Sequence, residues 1–261
     1  MKYCLIITLF LGLFFLLGAD FVAHAPLPEE ETAPIKTLII DPGHGGKDPG
    51  ALGARYYEKD LALQISLKLK EMLNENMPSI KVVMTREDDT FVELYRRGEI
   101  ALENNGDFFI SIHCNGLKNK SKFGTETYVL GINEGQETYE RVIAENESIL
   151  FEENYRDMYG NFEPSSPEAY IFFRLLKNVF RQESTRLADK VQANYDSQGR
   201  HGRGVKQAPF VVLYHSGMPA ILTEVGFITN YEEETYLASD SGQLAISASI
   251  MEAIREYNTE F

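Results

Sequence analysis

The hydrophobic pattern changes period several times along the chain. Ile35–Asp41 is an isoleucine-rich run ending in an acid, which predicts a strand. Leu61, Ile65 and Leu69 then recur at helical spacing within Lys59–Asn74, and Leu63 and Leu67 widen that face. Ile80–Thr85 predicts a second strand and Val92–Asn104 a helix. Strands follow at Asp107–His113 ("DFFISIH") and Gly124–Leu130 ("GTETYVL"). Two short strands are expected at Phe210–Leu213 and Ala220–Glu224, before a closing amphipathic helix over Gln243–Tyr257. Strands alternating with helices predict an α/β layered fold on a largely parallel sheet. Ligands in such folds gather at the carboxyl ends of the strands.

One region departs from this rhythm. Gly131–Gln192 has no strand signal; it is charged and helix-prone, with a Pro/Ser break at Glu163–Glu168. It reads as a helical insertion rather than another βα unit. Tyr139–Tyr155 is expected to be one helix with Tyr139, Val142, Ile143, Ile149 and Leu150 on a common face. Asn146 and Glu153 fall within that face, which is odd for a helix that only packs.

The N-terminus alters the compartment. Lys2, a run of 14 uncharged and mostly apolar residues from Leu5 to Gly18, and Ala23-His24-Ala25 have the three-part layout of a secretory signal. The run is shorter than the ~20 residues of a membrane span. Residues 1–25 are therefore expected to be removed near Ala25, leaving an exported, periplasmic or secreted protein. An uncleaved anchor is the alternative. Residues 26–35, proline-rich and acidic, read as a short linker to a domain spanning 36–261. The mature chain keeps one cysteine, Cys114, which excludes a disulfide framework within a monomer. A net charge of -14 without a basic stripe argues against nucleic acid as a partner.

Chemistry concentrates at element ends. "LIIDPGHGGKDPG" (Leu38–Gly50) places His44 in a glycine-rich loop after a strand. A phosphate loop is ruled out there, because Asp41 stands where its first glycine belongs and Asp48 where Ser or Thr should follow the lysine. His113 and Glu224 end strands, and Glu58 begins a helix. Two histidines, a carboxylate and one open position suit a catalytic zinc site, with a further carboxylate as general base. Taken singly, each histidine is equally a polar loop residue, and Glu58 equally an acid favoured by the helix dipole. Cys114 should point away from His113 and fill the core. His215 reads as a loop residue. Arg203 either touches substrate carboxylates or is a solvated loop arginine, and Lys47 and Asp48 are candidates for supporting contacts.

Together the segments "IIDPGHGGKDPGA", "EKD", "TREDD…LYRRGEIA", "DFFISIHCN", "GTETYV" and "ILTEVGFITN" resemble the zinc-dependent N-acetylmuramoyl-L-alanine amidases of bacterial cell walls. The similar motifs span Lys36 to about Tyr257, in the family's order. The resemblance implies a six-stranded mixed sheet flanked by helices, with Zn2+ held by His44, Glu58 and His113 and Glu224 as catalytic glutamate. It implies hydrolysis of the amide between N-acetylmuramic acid and L-alanine of peptidoglycan, by a chain expected to be monomeric. Some members carry a helical insertion whose glutamate covers the metal until an activator protein displaces it. Their matching segment points to Glu145 as the cap, whereas the helical face points to Glu153. A peptidoglycan-binding module without catalysis and a zinc carboxypeptidase are the competing functions.

Overall fold

A computed structural model describes residues 33–132, 135–153, 155–159 and 180–261. The proposed signal, most of the linker and the Pro/Ser break of the insertion lie outside the described residues. Among those described, no helix is long and apolar enough to cross a membrane.

Six strands form one mixed sheet: β1 (Thr37–Pro42), β2 (Lys81–Met84), β3 (Phe108–Asn115), β4 (Thr125–Leu130), β5 (Gly202–Ala208) and β6 (Ala220–Phe227). Their spatial order is β2-β1-β3-β6-β4-β5. All neighbours run parallel except β4 and β6, so β4 and β5 point against the other four. The expected mixed, largely parallel α/β sheet is thus present.

Side-chain alternation splits the core in two. Leu38, Ile40, Phe108, Ile110, Ile112, Cys114, Ile221 and Val225 pack on α1 (Glu58–Asn76), α5 (Arg181–Ser197) and α8 (Asp240–Asn258). Ile39, Phe109, Tyr128 and Leu222 face α2 (Leu94–Glu103), α3 (Gln136–Asn146) and α6 (Val211–His215). Each such side chain contributes about 1.5–3 kcal/mol when fully buried. Cys114 lies on the first face and is fully buried, as its parity requires. Ile35, where the expected linker and first strand meet, is buried too, and its backbone N–H donates to Asn258 at 2.8 Å.

Two expected elements fail. The run at Phe210–Leu213 is not a strand: Val211–His215 forms α6, because a short apolar run suits a buried helical turn equally well. The fifth strand is instead "GRGVKQA", Gly202–Ala208, at the sheet edge. Tyr139–Tyr155 is not one helix. α3 ends at Asn146, a 3-10 turn occupies Glu147–Phe151, and α4 is Tyr155–Tyr159. The tighter turn shifts the phase, leaving Leu150 half exposed and Glu153 exposed while Ile149 is buried. α7 (Tyr231–Leu237) completes the described helices.

Candidate metal centre

The centre forms where β1 and β3 end. His44 adopts a left-handed φ of 58°, held by paired backbone bonds between Gly45 and Asp48. The surrounding glycines are steric requirements. A Cβ on Gly43 would lie 2.4 Å from the His113 ring, and one on Gly50 would lie 2.7 Å from Glu58 Oε2. Two buried arginines fasten the loop by its carbonyls. Arg97 donates to Pro42 O and His44 O at 2.8 and 2.7 Å, and Arg86 donates to Pro42 O and Gly43 O at 3.0 and 2.6 Å. Asp41 accepts from Arg97, Thr85 and Ser111 at 2.6–2.8 Å. Burial opposes its charge, yet Arg97 and these hydrogen bonds hold its carboxyl below the usual range.

Four buried groups converge: donor atoms of His44, Glu58, His113 and Glu145 all lie within 4.8 Å of one another. His44 Nε2 is 3.2 Å from Glu58 Oε2 and 3.3 Å from Glu145 Oε2. His113 Nδ1 is 3.0 Å from Glu58 Oε1 and 3.0 Å from Glu145 Oε2. Supporting bonds aim these groups. Asp48 Oδ2 sits 2.8 Å from His44 Nδ1, which turns Nε2 inward. Glu58 accepts from the backbone N–H of Ala51 and of Cys114, both at 2.8 Å.

The electrostatics fit a divalent cation. His44 Nε2 and Glu145 Oε2 are buried without a hydrogen-bond partner, although both face the common point. Burial pushes His44 down, but Glu58, Asp48 and Glu145 outweigh it and raise it well above its ordinary value. Burial likewise opposes a charge on His113, yet Glu145 and Glu58 push it up to about 10. Burial favours neutral Glu58 and Glu145; the facing imidazolium groups reverse this, holding Glu145 at about 2 and Glu58 lower still. Two carboxylates held by two imidazolium ions carry no net charge. Two carboxylates, two neutral imidazoles and one divalent cation carry none either, and the cation removes the need for buried protons. Two nitrogens and two oxygens are a donor set that zinc accepts.

Glu224 lies beside this cluster, paired with His113 on β3 and with Glu126 on β4. Its Oε1 is 3.2 Å from an Arg141 nitrogen, and its buried Oε2 has no partner. Burial pushes Glu224 up to about 8; Arg141 opposes this, and Glu145 and Glu58 add to it.

Glu145 and Arg141 both belong to α3, which crosses the strand ends. Glu137, Arg141 and Glu145, spaced four apart, form one row of alternating charge. Glu137 meets Arg203 Nη2 at 2.5 Å and Lys122 Nζ at 3.0 Å. Arg141 meets Glu224 and also donates to Asn115 Oδ1. Beyond the helix, Ser148 Oγ donates to Asp48 at 2.7 Å, and Asn146 bonds Pro209 O and the Val211 N–H at 3.1 and 3.0 Å. That anchorage explains an asparagine on a buried face. The cavity left beside the centre is about 10 Å³, lined by His44, His113, Glu145, Asn146 and Ser148 among others. That is space for one water at most.

The structure thus brings His44, Glu58, His113, Glu224 and Glu145 together, and leaves Glu153 exposed and outside the cluster. His215 is not a loop residue; it ends α6, packed on Tyr159 with ring centroids 5.6 Å apart. Arg203 is not in a loop: it lies on β5, partly buried, and pairs with Glu126 at 2.6 Å. Lys47 stacks over Phe91, away from the cluster, whereas Asp48 touches His44. Sequence reasoning missed Arg141, Asn115 and Glu126. The alternating row in "ETYERVIAE" was the available signal.

Comparison with known proteins gives the family. Residues 38–256 match the profile of the N-acetylmuramoyl-L-alanine amidases, Amidase_3. N-acetylmuramoyl-L-alanine amidase AmiC of Escherichia coli O6:H1 is 30% identical over 225 residues, covering 84% of this chain and 52% of that protein. The chain therefore spans about half the length of that relative. The crystal structure of N-acetylmuramoyl-L-alanine amidase from Clostridium difficile 630 is 30% identical, with a TM-score of 0.63, covering 87% of this chain and 97% of the other. The CwlD amidase from Clostridioides difficile, solved in complex with the GerS lipoprotein, is 25% identical with a TM-score of 0.64 and covers 87% and 100%. On the match over residues 38–256, this chain belongs to the N-acetylmuramoyl-L-alanine amidase family.

Proposed function

We propose that this chain is an exported, zinc-dependent amidase that hydrolyses the bond between N-acetylmuramic acid and the L-alanine of peptidoglycan, and that it is held closed by α3. His44 Nε2, Glu58 and His113 Nδ1 would hold the ion, and Glu145 would take the position that substrate needs. Convergence of four buried donors, one of them on the insertion, carries this reading. Bound zinc would supply Lewis-acid polarisation of the scissile carbonyl and an activated water near neutral pH.

The chain's own groups do the rest. Glu224 Oε2 has no partner and accepts a proton from the attacking water. The same carboxyl then delivers that proton to the departing alanine nitrogen. Asp48 fixes the His44 tautomer, and the Ala51 and Cys114 N–H groups keep the Glu58 carboxylate oriented. In the closed form Arg141 occupies Glu224 while Glu145 faces both histidines. Activity then requires α3 to move. A protein that binds α3 is the expected activator; the related CwlD amidase is solved in complex with a lipoprotein, GerS.

The test is mass spectrometry of digested wall material. Zinc-loaded chain should release stem peptides with intact N-terminal L-alanine, and Glu145→Ala should release them faster. His44→Ala or His113→Ala should lose metal and activity together. Glu224→Gln should keep the metal and lose roughly 10²–10⁴-fold in turnover. Release of a single terminal residue would mean a carboxypeptidase. No release by Glu145→Ala or by a chain with Tyr139–Glu183 replaced by a Gly/Ser linker would mean a binding module.

A further inference from the structure

The far end of α3 covers a second cluster that the reaction above does not use. Glu126 on β4 is buried, and both Lys206 Nζ and Arg203 Nε reach its Oε1, at 2.5 and 2.6 Å. Tyr128 OH and Asn115 Nδ2 bond its other oxygen at 2.6 and 3.1 Å. Glu126 is therefore satisfied without Glu137. The Arg203 guanidinium also lies over the Phe227 ring, 5.3 Å from its centroid. A carboxylate below and a ring beside it fix the fork, so its outer edge is presented in one orientation. That outer nitrogen, Nη2, holds Glu137 at 2.5 Å, and Lys122 closes on the same carboxylate at 3.0 Å.

Glu137 and Glu145 stand on one face of one rigid helix. A movement that lifts the whole of α3 off the strand ends withdraws Glu137 together with Glu145. What remains is Lys122, Arg203 and Lys206 against Glu126 alone, a local excess of two positive charges on a chain of net charge -14. Eight residues of helix rise about 12 Å, so this cationic spot lies about that far from the metal end of the groove. An extended peptide covers the same span in three to four residues, at about 3.3–3.6 Å each.

On the reading of α3 as a displaceable plug, we infer that Arg203 and Lys122 form an anion subsite that takes a carboxylate of the stem peptide, three to four residues from the scissile amide. Glu137 imitates that carboxylate in the closed state. The helix thus covers catalytic and recognition positions at once, and its sequence copies the charge of the ligand it excludes.

Calorimetry on the full zinc-loaded chain carrying Glu137→Ala and Glu145→Ala tests this. The probes are a stem tripeptide beginning with L-alanine, with its third residue ending in a free carboxylate, and the same peptide ending in an amide. The acid should bind about tenfold tighter than the amide. Adding Arg203→Ala should bring the ratio to about one, and Lys122→Ala should lower it. Equal affinities in the parent, binding of neither peptide, or a ratio that survives Arg203→Ala in a chain melting like the parent would overturn the subsite. If Arg203→Ala does not fold, an unchanged ratio in Lys122→Ala overturns it equally. Release of stem peptide from wall material by the same chain is scored separately. Acid selectivity without release sinks the amidase reading and leaves the subsite. Release without acid selectivity does the reverse.

Discussion

Arg97 is a surface residue type placed at the base of the site, and its surroundings set what its loss would do. It is 2% exposed, and its partners are Asp41 and the carbonyls that shape the His44 loop. Removing one member of a buried pair strands the other charge, which costs about 3–5 kcal/mol. Arg97→Ala should therefore lower unfolding stability by that amount, read from urea denaturation, and weaken metal binding with it. A loss below about 1 kcal/mol would show that Asp41 finds another partner. The contrast with His44, Glu58, His113 and Glu224 shows what the sequence carries. In the sequence those four fall at or near the ends of the expected elements, which follow from periodicity, although the strands run on past two of them, to Asn115 beyond His113 and to Phe227 beyond Glu224. Arg86, Arg97 and Arg141 meet Gly43, Asp41 and Glu224, which lie 43, 56 and 83 positions away, and no local pattern encodes such a meeting. Glu145 came from likeness to relatives; the helical face alone pointed to Glu153, because it assumed one unbroken helix.

Among the described residues, several bonds hold the insertion to the domain, and two of them come from one side chain. Asn146 bonds Pro209 O and the first N–H of α6. Losing both should cost about 1–2 kcal/mol of closure, a factor of about 5–30 in the closed-to-open ratio. Asn146→Ala should raise basal wall hydrolysis by that factor. An unchanged rate would mean that the ion pairs alone hold α3. Glu152 adds a dependence on pH. Burial raises it from 4.5 to about 7; Glu93 adds to the shift, and the Leu94 N–H, Tyr159 OH and Arg97 oppose it. A carboxyl raised in the folded state contributes fully below its unfolded value, and that contribution is lost as pH rises through the folded one. The docking of the 3-10 turn on α2 should thus weaken between about pH 4.5 and pH 7. Limited proteolysis of the insertion should speed up across that window, and Glu152→Gln should flatten the response. A cleavage rate independent of pH in the parent would remove Glu152 from the account. The elements that differ from expectation share a cause: β5 is an edge strand whose glycines, arginine and lysine leave its pattern without a clear period. The apolar Phe210–Leu213 run has no period that separates strand from helix.

Across the whole molecule, one sheet positions His113 and Glu224 together with the strands that flank α3. β1 and β3 supply the histidine end, β6 supplies Glu224, and the reversed β4 and β5 supply Glu126 and Arg203. Only the folded chain assembles the four donors, so metal binding is linked to stability. At a free zinc level about 100 times the dissociation constant, the gain is about 2.7 kcal/mol. Chains of this size shift by about 2–4 °C per kcal/mol, so chelation should lower Tm by about 5–10 °C. An unchanged Tm, with zinc shown by elemental analysis to have been present and then removed, would separate the ion from the fold.

On the reading of α3 as a plug, plug and groove share one polypeptide, because α3 lies between β4 and β5. Closure is therefore unimolecular. Diluting the protein does not open it, and a dissociated helix returns from an effective concentration of order millimolar. A free ligand at micromolar level loses that competition unless something retains the helix after it leaves. An activator must be a holder rather than a trigger, and its required affinity is set by the tether as much as by the charges of Glu137, Arg141 and Glu145.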